Sequence, residues 1–507
     1  MRVILGLVFG ILLSASTMAE IASELQVLQG NNQFTSKMYK LLSQKKGNII
    51  FSPISMHAVL SMAYQGAQGS TAEHFASTLQ VPEAKIAAEG YSEVMKRLNS
   101  VQNVTLLMAN KVFLKNGFTL LTDFETAVTK SFQSEVQLVD FAQNEAAAKT
   151  INDWVEVQTR EKIKDLIKKD DLNELTRLVL VNAIYFKGNW KHKFRKEETR
   201  TEPFYLNDVD KVEVQMMHTK NKFNYKNDEA LDAQILEMPY TNENLSMVII
   251  LPNQRNGIGE LEKKLENYNL SEITTNMWNT EVNVALPKFK IEQTIDLEEA
   301  LKKLGLGEIF DQDKANFRGM IELKPNENLY VSKVIQKAFI EVNEEGAEAA
   351  AATGVHVMMK RSLVFPEEFN ADHPFIYALK ISKAKSGNVL FYGKVAQLLP
   401  FSPTICRQIF KAKRLIFFTV FCKYDYEGLH LFLCNSSRIV FHCGPSIRIF
   451  VDSDIGKRKK SFICWKNHKT FVKSKYKTYI KYSKAIHLND KNLYNMLELV
   501  QQHVFLI

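Results

Sequence analysis

The chain has 507 residues, enough for one large domain or several small ones, with a formal net charge of +9 that by itself would suggest a nucleic-acid or membrane partner. The charge is unevenly placed: residues 401–507 hold 19 Lys and Arg against 6 Asp and Glu, a net of +13, so residues 1–400 carry a net of −4. All five cysteines, Cys406, Cys422, Cys434, Cys443 and Cys464, fall in the same last fifth, which excludes a disulfide framework for the first 400 residues.

At the N-terminus, Arg2 precedes an apolar run from Val3 to Leu13, and small residues lead to a cut site ahead of Glu20. Residues 1–19 therefore read as a signal peptide, too short to span a bilayer, and the protein is expected to be secreted. Leu25 to Leu42 reads as an amphipathic helix carrying Val27, Phe34, Met38 and Leu41. A second helix begins near Ser52, with Pro53 just inside its start, and stops at Gly66 or Gly69. Ile151 to Ile167 reads as a third. Strand-like runs are Val104–Phe113, Leu178–Phe186, Leu245–Leu251 and Glu281–Phe289, followed by Phe375–Ile381 and Val389–Val395 around a turn at Ser386-Gly387-Asn388. Helices early and strands late, without regular alternation, indicate an α+β fold. No internal repeat and no GxSxG, HExxH, GxGxxG or P-loop fingerprint is present, so the sequence points to no enzyme, cofactor or metal.

Residues 401–507 differ in kind, with 18 aromatics, only Ala412 and Ala485 as alanines, and the basic run Lys457 to Lys460. They read as a basic extension outside the fold, not as a nucleic-acid or membrane arm. The domain is thus expected to occupy residues 20–400.

Five segments together carry a resemblance. They are Asn48 to Ser55, Asn182 to Trp190, Glu344 to Thr353, Phe369 to Leu379 and Gly393-Lys394-Val395. In this order and spacing they resemble the serpin family over about residues 25–398. The resemblance implies a serpin fold: a large central sheet A, two smaller sheets, about nine helices and an exposed reactive-centre loop at about 344–366. It also implies that a protease cleaves this loop as bait, and that the freed segment enters sheet A before the acyl-enzyme can be hydrolysed, leaving a covalent complex.

The hinge of that loop would be Glu344, Gly346, Ala347, Glu348, Ala349, Ala350, Ala351, Ala352 and Thr353. Alone, so much Ala and Glu would read as helix. For insertion, however, every second residue must enter a packed interior, and Ala347, Ala349, Ala351 and Thr353 are small. Pro, charge or bulk at these inserting positions, which would mark a non-inhibitory carrier, storage or chaperone member, is absent. By the same resemblance, Ser52, Ser55, Asn182 and Gln336 map to the shutter that governs opening of the sheet. Lys288 and Glu344 map to an ion pair near Trp190 at its top. Gln336 stands where the family often has His; it keeps hydrogen-bonding capacity but cannot sense pH.

The bait lies in Lys360-Arg361-Ser362. Counting 17 residues from Glu344 places Lys360 before the scissile bond, whereas counting back from Phe365-Pro366 favours Arg361–Ser362. Either side chain suits the acidic pocket of a trypsin-like serine protease, and the dibasic pair leaves a kexin- or furin-type convertase open. Asn103, Asn244 and Asn269 head glycosylation sequons. Lys85, Lys96 and Arg97 are too sparse to make a heparin site. The expected partner is a single protease molecule on a monomer.

Overall fold

Eight apolar or small residues interrupted only by Asn182 (Leu178 to Phe186) cannot alternate between a wet and a dry face, so the strand they form has to be covered on both sides. The computed structural model describes residues 2–399 except 243, 267, 323, 325–326, 345–365 and 382–387, with side chains from residue 20 onward, and further on the backbone of six strands between 419 and 474. Two compact units result, residues 1–401 and 402–507.

In the first unit the described residues form eight α-helices and sheets of nine, five and two strands. Leu178–Gly188 is the middle strand of the five-stranded sheet, which is therefore the one the resemblance calls sheet A. Its order is Phe289–Asp296, Val331–Val342, Leu178–Gly188, Val104–Lys115 and Val136–Val139. Even-numbered residues of the middle strand (Leu178, Leu180, Ile184, Phe186) enter the main core, and odd-numbered ones (Val179, Val181, Ala183, Tyr185) a second core under the Asn144–Gln158 helix. The strands that the resemblance divides between two smaller sheets are joined here, because one 18-residue strand, Lys211–Asp228, serves both. Met216 to Tyr225 pair with Trp278–Pro287, and Asn224 to Asp228 pair with the Ala233–Pro239 strand.

Pro53–Tyr64 is capped by Ser52, whose hydroxyl accepts from the Ser55 N–H, and all twelve of its residues are buried, so it is a core helix with no exposed face. Four boundaries depart from the sequence reading. The N-terminal helix runs from Arg2 to Leu42, well beyond Leu25. The helix expected at 151–167 is Asn144–Gln158; Arg160 and Glu161 take positive φ of 50° and 61° and end it, while Thr159 Oγ1 bonds the Val155 carbonyl and the Ile163 N–H. Ile163 and Leu166 are buried all the same, from the segment that follows. The run read as Glu281–Phe289 is two strands, Trp278–Pro287 and Phe289–Asp296, broken at Lys288. Phe375–Ile381 pairs antiparallel with Asn388–Val395, so Asn388, expected in the turn, is the first residue of a strand.

In the second unit, Thr419–Asp425, Gly428–Asn435, Arg438–Cys443, Ser446–Asp452, Lys460–Lys466 and Lys469–Ser474 form an antiparallel meander.

Candidate functional site

Two strands of the five-stranded sheet meet along a parallel seam: Val331–Val342 lies directly beside Leu178–Gly188, in register from Lys333 opposite Val179 to Ile340 opposite Phe186, after a shift between Val331 and Lys333. The antiparallel neighbour on the other side puts Asn110 opposite Asn182. Gln336, Asn182 and Asn110 thus form a polar row across three strands, all facing the main core, where each needs a partner.

Ser52 and Ser55, at the start of the Pro53–Tyr64 helix, supply partners from above. Ser52 N–H donates to Gln336 Oε1 at 2.9 Å, Gln336 Nε2 donates back to the Ser52 carbonyl at 3.0 Å, and Ser52 Oγ donates to the Leu390 carbonyl at 2.6 Å. Ser55 Oγ donates to Asn110 Oδ1 at 2.9 Å. Asn182 Nδ2 donates to Ser55 Oγ and Asn110 Oδ1, and Gln336 Nε2 crosses the seam to Asn182 Oδ1. Gln336 uses both its donor and its acceptor, which a neutral imidazole could also do but an aliphatic residue could not. Asn110 was not singled out in the sequence. The signal available was the amide between the apolar stretches Leu106 to Ala109 and Val112 to Leu114, weaker than at Asn182 because Lys111 stands beside it.

At the top of the seam the indole of Trp190 stacks on Tyr240, with ring centroids 4.4 Å apart, and its Nε1–H donates to the Asn343 carbonyl at 2.9 Å. Gly188 makes room for this stack, since a Cβ there would lie 2.6 Å from the rings of Phe186 and Tyr240. The next residue, Glu344, accepts at its carbonyl from Phe194 N–H, 3.1 Å away. Its carboxylate lies 2.9 Å from Lys288 Nζ and accepts from Thr199 Oγ1 at 2.9 Å. With its side chain 5 % exposed, Glu344 is no surface pair. Burial pushes its carboxyl up, but the Lys288 hydrogen bond and charge and the Thr199 hydroxyl outweigh that and hold it below the ordinary 4.5. The sign follows: the tie to Lys288 is intact above pH 4.5 and is lost as pH falls through the lowered value. Glu344 ends the described stretch. Gly346, Ala347, Glu348, Ala349, Ala350, Ala351, Ala352 and Thr353, and the bait Lys360-Arg361-Ser362, lie outside the described residues. Asn103, Asn244 and Asn269 are exposed; Asn269 also caps a short 3-10 turn by accepting from Ser271 N–H. Among the described residues no group of His, Cys, Asp and Glu is arranged to hold a metal.

The same helix carries a buried titratable group missed in the sequence. His57 has Nε2 at 2.9 Å from the Leu79 carbonyl and Nδ1 at 2.7 Å from Tyr91 Oη. A carbonyl only accepts, so Nε2 bears the proton and Nδ1 accepts from the tyrosine. Burial pushes its pKa down from 6.5 to about 4, the Leu79 carbonyl opposing. Between those values the unfolded chain binds a proton that the folded one refuses, so stability falls as the pH falls, by about 1.4 kcal/mol per unit and on the order of 3 kcal/mol in all. Urea unfolding midpoints measured from pH 7 to pH 4 are expected to show this slope in the native protein and a flatter one in His57→Gln. Equal slopes would mean that His57 is protonated in the fold.

A central sheet with a parallel seam, an amide row under it and an ion pair at its top define the serpin class. A family model described as Serpin (serine protease inhibitor) matches residues 29–398, and the chain belongs to that family, whose members are protease inhibitors and not enzymes. It is 39% identical over 380 residues to leukocyte elastase inhibitor of Equus caballus, covering 73% of this chain and 98% of that protein. Alaserpin of Manduca sexta is 40% identical over 372 residues, with 73% and 93% covered. Among solved structures, that of Serpin48 from the insect Tenebrio molitor matches with a TM-score of 0.67 at 37% identity, covering 74% of this chain and 99% of that one.

Proposed function

We propose that the protein is a secreted inhibitor that traps trypsin-like serine proteases by inserting its cleaved loop into the five-stranded sheet. The observation that carries this reading is the seam. Val331–Val342 and Leu178–Gly188 run parallel, and parallel pairing is slightly the weaker kind per residue. A segment that follows Val342 and folds back between them would be antiparallel to both, replacing one parallel pairing by two antiparallel ones. The small residues Ala347, Ala349, Ala351 and Thr353 suit that role.

In the trapping reaction the protease serine Oγ attacks the carbonyl carbon of Lys360 or Arg361, and its histidine takes the serine proton. The peptide bond to the next residue breaks, the proton passes to the departing amine, and an ester joins the bait to the enzyme. Insertion of roughly 17 residues at about 3.3 Å each then carries the enzyme on the order of 55 Å before water can cleave the ester. A basic bait residue pairs with an acidic specificity pocket, which favours trypsin-like targets over elastase-like ones.

Incubation with trypsin is expected to give an SDS-stable complex and to release a peptide beginning at Arg361 or Ser362. The double variant Lys360→Ala/Arg361→Ala should lose trypsin inhibition altogether. Cleavage of the native protein without any stable complex would overturn the reading. Secretion is checked separately: the mature chain from eukaryotic culture medium should begin at Glu20.

A further inference from the structure

On the nine-stranded sheet, away from the seam, lies a cleft of about 740 Å³ assembled from three distant stretches, 225–229, 268–280 and Glu367. Its lining is mostly polar but includes three aromatic residues, Tyr225, Tyr268 and Trp278, the last with 78 % of its surface exposed, which is unusual for a residue whose burial is worth so much. Its charge is one-sided. The single base, Lys226, is occupied by Asp228 at 3.1 Å and by the Thr275 carbonyl at 3.3 Å. Glu229, Glu272 and Glu367 line the same cleft, are exposed, and have no ion-pair partner among the described residues. The cleft therefore carries a net of −3, in a unit of 400 residues whose whole net charge is only −4.

Its position says what meets it. Glu367 opens the Glu367–Asn370 strand, which pairs with Val282 to Ala285, and it follows the bait by only six or seven residues, five or six from the first residue after the scissile bond. At no more than 3.6 Å per residue, the scissile bond lies within about 22 Å of Glu367, less than the width of a protease. An enzyme gripping the bait must bring its rim over this part of the surface. We infer that the cleft is a second docking surface for the bound protease, taking Lys or Arg side chains from the rim of an enzyme that is basic beside its active site. A guanidinium or ammonium there would lie over the Trp278 ring and pair with Glu229, Glu367 and Glu272, the last of which already accepts from Asn269 Nδ2 at 2.8 Å. Charges of this kind act mainly by steering the encounter, and salt screens them over about 8–10 Å.

The inference rests on the inhibitory reading above, and the experiment separates the two. A cationic and an anionic trypsin share the acidic specificity pocket and differ in surface charge. At low ionic strength the native protein is expected to associate about tenfold faster with the cationic enzyme. The triple variant Glu229→Gln/Glu272→Gln/Glu367→Gln should abolish that preference, as should 1 M NaCl. Trp278→Ala, a change at an exposed ring, should reduce it on its own. A native protein without preference, or a triple variant that keeps it, overturns the docking surface alone. If neither trypsin forms an SDS-stable complex with the native protein, the inhibitory reading falls and the docking surface with it.

Discussion

On the proposed mechanism, Ala347→Arg is expected to turn the protein from an inhibitor into a substrate: folded and cleaved at the same bond as before, but releasing the protease. Position 347 is the third after Glu344, where the sheet's top is pinned by Lys288 and Trp190 holds Asn343. It is among the first hinge residues that would have to pass into the seam. The inner face there is lined by Ile184, Phe186, Ala338 and Ile340, all of them buried. A methyl group fits such a surface, whereas an unpaired guanidinium would cost several kcal/mol to bury. Slowing insertion lets water reach the ester first. Titration against trypsin measures the outcome as moles of inhibitor consumed per mole of enzyme silenced. An unchanged ratio in the variant would sink the insertion mechanism, whereas Ala347→Ser, small and weakly polar, should stay close to the native ratio.

What the sequence disclosed depended on how local the determining interaction was. Leu178–Gly188 and Val104–Lys115 were legible because a strand buried between two layers is dominated by consecutive apolar residues, Leu178 to Val181 and Ala183 to Phe186 in the first and Leu106 to Ala109 and Val112 to Leu114 in the second. Ser52 was legible as a cap because Pro53 follows it. The end of the Asn144–Gln158 helix was not, because Ile163 and Leu166 keep helical spacing and are buried, yet Thr159 turns the chain away from helix. Lys288 was legible only through the family resemblance; nothing local says that its ammonium meets a carboxylate 56 positions on. The acidic cleft was invisible for the same reason: buried Tyr225 and exposed Glu272 and Glu367 are far apart in the chain and are brought together only by the fold, and each alone is unremarkable.

The amide row under the seam should respond more sharply than any other buried polar group. Asn182→Ala removes a donor to Ser55 Oγ and Asn110 Oδ1 and the acceptor of Gln336 Nε2, all in one step. Ser55 and Asn110 still hold each other, and Gln336 still reaches Ser52, so the damage is partial. Each buried group left short of a partner costs about 1–3 kcal/mol, which gives an expected loss of roughly 2–4 kcal/mol in stability. The location matters as much as the size. The bond from Gln336 to Asn182 crosses between the two strands that must part, so its loss also lowers the cost of parting them. The variant is therefore expected to lose inhibitory titre on warming well before the native protein, by inserting its intact loop or by linking to another copy through the opened seam. His57→Gln is the control, since it perturbs the same helix and core without touching the seam. Native gels and residual trypsin inhibition after incubation at graded temperatures measure both variants together. If Asn182→Ala converts no faster than His57→Gln at equal distance below their unfolding midpoints, the amide row stabilises the core in general and does not gate the sheet.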